Sequence, residues 1–181
     1  MTALWLQEAA ILQAVEHFDE GLDHVRGGPS APVVLEYGDN EHEQSRQVFG
    51  VLERLESARR DGLRHVFRHF PQTTIHPRAL AAAAAAEAAA LQGRFWEMHA
   101  LLFNEGRFLD IELRAWAGAI GLDLQRFERD RVGSEVRARV RRDVAVANAS
   151  GEVHGTPTLF LNGKIHRGGC DDESLLRALE G

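Results

Sequence analysis

Apolar residues at Leu4, Ile11, Val15 and Phe18 fall on one face of a helix, which predicts an amphipathic helix over residues 3–19. The stretch HVRGGPSAP reads as a Gly/Pro linker, and PVVLEYG is the first run with the apolar, β-branched character of a strand. From Gln44 the period turns helical again. Val48, Val51, Leu52 and Leu55 mark the buried face, and Asp61-Gly62 is the stop. LRHVFRHF then reads as a second strand, rich in residues that suit a pleated, half-buried surface. Strand, helix and strand of these lengths form a βαβ unit, so the two strands are expected to be parallel.

From Pro71 to Ser150 the pattern is almost wholly helical. Ala81–Ala90, broken only by Glu87, has the highest helix propensity available and side chains small enough for another helix to approach closely. GRFWEMHALLF, IELRAWAGAIGL and DLQRFERDRV supply further short helices. After Gly151, TPTLFLNGKIHRGG predicts a β-hairpin turning at Asn162-Gly163, and DDESLLRALE a closing helix capped by Asp171 or Asp172. The order is βα, β, helices, ββα. That is an α/β chain with a thioredoxin fold and an inserted helical domain. Its expected units are 1–28 (N-terminal helix and linker), 29–72 (first half of the fold), 73–150 (helical insertion) and 151–181 (second half).

A formal net charge of −6 speaks against a general binder of nucleic acid or of anionic membranes, both of which need local positive potential. The first twenty residues lack a basic segment before their apolar positions and are interrupted by acids, so neither a secretory signal nor a membrane span is expected. The single cysteine, Cys170, excludes an internal disulfide and makes the cytoplasm the default location. Arg137, Arg139, Arg141 and Arg142 look like a basic patch, but Glu135 and Asp143 flank them, and a solvated helix face is the expectation.

From about Asp23 onward the chain resembles the DsbA-like branch of the thioredoxin superfamily, the thiol-disulfide oxidoreductases. The resemblance rests on DHVRGGPSAPVVLEYGD, HVFRHFPQTTIHP, QGRFWEMHALLF, GLDLQRFERD and VHGTPTLFLNG, in that order. In that family EYGD is followed, two residues on, by Cys-x-x-Cys at the start of a helix. Here His42 takes the place of the first cysteine and Ser45 that of the second. The family's reaction needs a thiolate stabilised by a helix N-terminus and a second sulfur within disulfide reach. An imidazole and a hydroxyl supply neither. His154-Gly155-Thr156-Pro157-Thr158 matches the family loop whose proline follows a cis peptide bond and faces the cysteines. The backbone of Thr156 is there expected to pair with an extended substrate. Glu36 falls at the family's buried acid, and without a cysteine it is expected to turn to Ser45 or a water.

Other chemistry is weaker. His42-Glu43 does not continue into a metalloprotease helix, because Arg46 stands where the second histidine belongs. Asn40 and Glu43 have capping-box spacing, so Glu43 is read as supporting the helix start. No metal site is expected. The histidines that the fold should bring together are His42 and His154, with no third ligand fixed by spacing. His65, His69 and His76 are read as strand and loop polarity. The resulting expectation is a domain without dithiol chemistry whose groove, lined by His42, Glu43, Ser45, His154, Thr156 and Pro157, takes an extended peptide or glutathione. No other cofactor is expected. The role is chaperone-like, regulatory or scaffolding, and binding is favoured over catalysis. The alternatives are a glutathione-dependent isomerase or transferase, and a single-thiol redox protein using Cys170.

Overall fold

The computed structural model describes residues 17–180. The helix expected over residues 3–19 lies outside the described residues except for its last three, which are not helical. Five strands form one sheet: β1 (His24–Arg26), β2 (Val33–Gly38), β3 (Arg64–His69), β4 (Thr158–Leu161) and β5 (Lys164–Ile165). Their order across the sheet is β1-β3-β2-β4-β5. β2 and β3 are parallel, joined by helix α1 (Glu43–Ala58), with Val33 opposite Arg64 and Gly38 opposite His69. β1 and β4 pair antiparallel with β3 and β2, and β5 closes the far edge against β4. The β4–β5 turn is the expected one, with Asn162 at φ 48° and Gly163 at φ 79°.

β1 lies within the stretch expected to be a linker. Its three residues pair with β3 at the sheet edge, and a run that short carries no readable alternation. β2 and β3 follow the period of two closely. Val34 packs under α1 and the closing helix α7 (Asp172–Glu180), with Leu52, Leu159 and Leu175, whereas Leu35 faces the opposite layer with Val66 and Phe160. Asp171 caps α7 by accepting a hydrogen bond from the Ser174 amide at 3.0 Å.

Between β3 and β4 lie helices α2 (Ala79–Ala90), α3 (Phe95–Glu105), α4 (Asp110–Ala119), α5 (Leu124–Arg131) and α6 (Ser134–Ser150). α2 is apolar apart from Glu87 and largely buried, touching α3, α5 and α6, as its alanines permit. Aromatic rings of α1, β3 and α3 (Phe49, Phe67, Phe95, Phe103) join it to the sheet. Two of the four α6 arginines depart from the solvated face expected for them. Arg139 and Arg142 reach Asp23 and Asp143, whose side chains are buried. Asp23 also takes a two-point grip from Arg68, at 3.1 and 2.7 Å, and Arg68 donates to the Tyr37 hydroxyl at 2.7 Å. Burial pushes the Asp23 carboxyl up, but Arg68, then the Asp19 amide and Arg142, outweigh it and hold its pKa below the usual value. This knot fastens α6 to the back of the sheet. Among the described residues no helix is long and apolar enough to cross a membrane.

Candidate functional site

The site forms where β2 ends and α1 begins. Gly38, the last residue of β2, has no room for a side chain: a Cβ there would lie 2.4 Å from the Phe67 ring and 2.7 Å from Glu36 Oε1. The next residue, Asp39, is buried and organises the loop. Its Oδ1 accepts from the Glu41 amide at 2.9 Å, and its Oδ2 accepts from the Gln72 amide at 2.9 Å. The same Oδ2 lies 2.8 Å from His76 Nδ1. Asp39 therefore binds the loop before α1 to the loop after β3.

His42 is the N-cap of α1, with extended backbone and no side-chain cap bond. Its Nδ1 lies 2.9 Å from Thr156 Oγ1, across the cleft, and its ring centroid lies 4.9 Å from that of His76. The imidazole that meets His42 is thus His76, where His154 was expected. His154 is exposed and lines a cleft of about 480 Å³ with Thr156, Pro157 and Arg167. The Thr156–Pro157 peptide bond is cis. On the other side of Pro157, Gln44, Gln47, Val48, Val51 and Cys170 line a second cleft of about 500 Å³. Ser45 is buried beneath the helix start, and its hydroxyl accepts from the Asp39 amide at 3.3 Å.

Two local expectations are corrected. Asn40 is not the cap of α1, since the helix begins at Glu43 and the cap position falls to His42; the Asn40 amide is buried without a partner among the described residues. Glu43 instead points along the helix surface, 3.7 Å from Arg46. Glu36 does not turn to Ser45; its Oε2 lies 3.3 Å from His65 Nε2. Full burial drives the Glu36 carboxyl up to about 8, with Arg26 pulling the other way. Burial likewise drives the His65 imidazole well down, aided by Arg26. Burial thus favours the neutral form of both groups.

Sequence reasoning missed a line of buried histidines between the sheet and the helices. His99 on α3 is enclosed by Phe49, Phe67, Phe95 and Phe103, neither ring nitrogen has a partner among the described residues, and burial holds it well below its usual pKa. Glu87, the one acid in the alanine run, lies 2.7 Å from His24 and 3.1 Å from His69. Burial raises its carboxyl, but these two imidazoles more than reverse that and hold it far below the usual range. An acid interrupting an otherwise apolar run was the readable signal. Cys170 is half-buried, and its thiol is pushed up by burial, then by the charges of Glu36 and Asp171.

The model of the DSBA-like thioredoxin domain family matches residues 30–180 of the chain. A thioredoxin-like oxidoreductase of Silicibacter pomeroyi DSS-3 superposes with a TM-score of 0.79 at 25% identity, over 92% of this chain and 95% of that one. BdbD of Bacillus subtilis superposes with a TM-score of 0.79 at 16% identity, over 90% and 93%. By sequence the chain is 46% identical to the "Na(+)/H(+) antiporter NhaA 1" of Mycolicibacterium gilvum, over 97% of this chain and 29% of that protein. It is 40% identical to the "Na(+)/H(+) antiporter NhaA" of Herminiimonas arsenicoxydans, over 90% and 26%. The chain thus spans less than a third of the length of these curated relatives. On its sheet order, its helical insertion and the match across residues 30–180, the chain belongs to the DSBA-like thioredoxin domain family.

Proposed function

We propose that this domain does not exchange thiols and disulfides, and that it binds an extended peptide, or a small thiol such as glutathione, in the clefts on either side of Pro157. The observation that carries the reading is the contact between His42 Nδ1 and Thr156 Oγ1 at 2.9 Å. It ties the helix start to the proline loop at the point where an attacking sulfur would stand. Ser45, below it, is spent on the backbone of Asp39. The raised thiol pKa of Cys170 speaks against a single-thiol enzyme, which needs a thiolate near neutral pH. Similarity to proteins named Na(+)/H(+) antiporters supports a setting as well: an accessory recognition domain of an antiporter.

The test is turnover by the purified protein in insulin reduction and in dithiol oxidation. Both should remain at the uncatalysed rate. Turnover that vanishes in Cys170→Ser would establish single-thiol chemistry and overturn the reading. Calorimetry with reduced glutathione then separates the ligands, and a bound ligand also raises the melting temperature by mass action. Saturation at one molecule per chain would favour the glutathione-dependent enzyme, and a flat titration would favour recognition of a peptide.

A further inference from the structure

We infer that His99 is an acid-sensitive latch: in mildly acidic solution it takes up a proton, and α3 lifts off the sheet while β2 and β3 stay paired. Three observations carry this, and none depends on the ligand proposed above. First, His99 is fully buried on the inner face of α3, with Phe95, Met98, Leu102 and Phe103 beside it. Its ring centroid lies 4.4 Å from that of Phe67 on β3 and 5.5 Å from that of Phe49 on α1. Neither of its ring nitrogens has a partner among the described residues. A neutral imidazole is tolerated in such a cage, at the cost of its unmade hydrogen bonds. An imidazolium is not, because two N–H donors and a full charge would lack acceptors. Attraction to the faces of the aromatic rings recovers less than burial of an unpaired charge costs.

Second, the groups around His99 offer that charge no free partner among the described residues. β3 presents His65, at 6.1 Å between centroids, and His69. β1 presents His24 and Arg26, and Arg26 lies over Trp96 and pairs with Glu53 and Glu56 of α1. Glu36 of β2 stands behind His65, and burial keeps it protonated below about 8. The Glu87 carboxylate of α2 is occupied by His24 and His69. His65, Arg26, His69 and His24 all oppose a charge on His99.

Third, α3 is the element least tied down. β2 and β3 are held by a continuous parallel ladder. α3 lies between Gly93 and Gly106, both at positive φ, and its N-cap Arg94 makes no side-chain cap bond. Separation of α3 from β3 brings the imidazolium to water without breaking the ladder. With α3 packed, burial holds His99 below its ordinary value near 6.5, to which it returns once uncovered. Packing of α3 is therefore favoured above pH 6.5 and weakens as the pH falls below it. Acid would so uncover Phe49 and Phe67 and turn a closed domain into one that presents an apolar face.

The experiment is native-state hydrogen exchange from pH 7.5 to pH 5, read as protection factors so that the intrinsic pH dependence of exchange drops out. Protection of the α3 amides should fall at least about tenfold between pH 6.5 and pH 5, the linkage of a single uncovered histidine. Protection of β2 and β3 should fall less, and return to pH 7.5 should restore α3. His99→Phe keeps an aromatic ring and removes the proton site, so its α3 protection should not change over this range. Since phenylalanine is larger than histidine, His99→Leu serves as the second variant, with the melting temperature at pH 7.5 as the check on folding. Flat α3 protection in the parent overturns the inference. So does an equal loss in α3, β2 and β3, which would be global unfolding, or an acid response that persists in a folded His99 variant.

Discussion

Glu36 and His65 show how one buried pair can set the pH response of a domain. Glu36 has its folded pKa raised to about 8 from 4.5, so the folded chain binds the extra proton. Its contribution is fully present below about 4.5 and is lost as the pH rises towards 8. His65 and His99 run the other way. Their folded pKa values lie below 6.5, so their contribution is present above 6.5 and is lost as the pH falls. Below pH 6.5 two histidines oppose one glutamate, and above it the glutamate acts alone. Stability should therefore peak near pH 6.5, which denaturant melts across pH 5–9 will show. Glu36→Gln should remove most of that decline, a difference on the order of 5 kcal/mol at pH 9. An alkaline arm unchanged in that variant would mean that Glu36 is ionised and paired in the folded protein.

At the scale of elements, periodicity carried most of the fold. α1 through Val48, Leu52 and Leu55, the α2 alanine run, the Asn162-Gly163 hairpin and the Asp171 cap were all legible because each is a local pattern. What the sequence hid were partnerships between distant residues. Glu87 meets His24 across 63 positions, and His76 meets Asp39 across 37. No spacing rule reports either contact. β1 failed for the related reason that it exists only by pairing with β3. Arg139 and Arg142 departed from the expected face because their partner, Asp23, comes from before β1. Glu87 fastens α2 to β1 and β3, so Glu87→Ala should strip two enclosed imidazoles of their acceptor. Removing the charged partner of buried hydrogen-bonding groups costs about 3 kcal/mol, and a chain of this size loses about 2–4 °C of melting temperature per kcal/mol. A scanning calorimeter should record a fall of about 6–12 °C, with Glu87→Gln falling less. A change within about 2 °C would show that the contact is surplus to the packing of α2.

For the whole molecule, the candidate site is assembled from both halves of the fold: Asp39 and His42 from the first, Thr156 and Pro157 from the second, and His76 from the entry to the helical insertion. The register proposed for this domain puts the family's two sulfurs at positions 42 and 45. His42 stands partly exposed at the N-cap and Ser45 is buried one turn below, within side-chain reach along a helix. The most direct test is to restore the pair, as His42→Cys with Ser45→Cys in a Cys170→Ser background, and to measure free thiols and mass after mild oxidation. The double variant should lose two thiols to an intramolecular disulfide, and neither single cysteine should do so. Its first thiol should be less acidic than the helix N-terminus alone would make it, because Glu41 and Glu43 flank it. A folded double variant that keeps both thiols under oxidant would contradict the register, and the assignment of the cleft would fall with it.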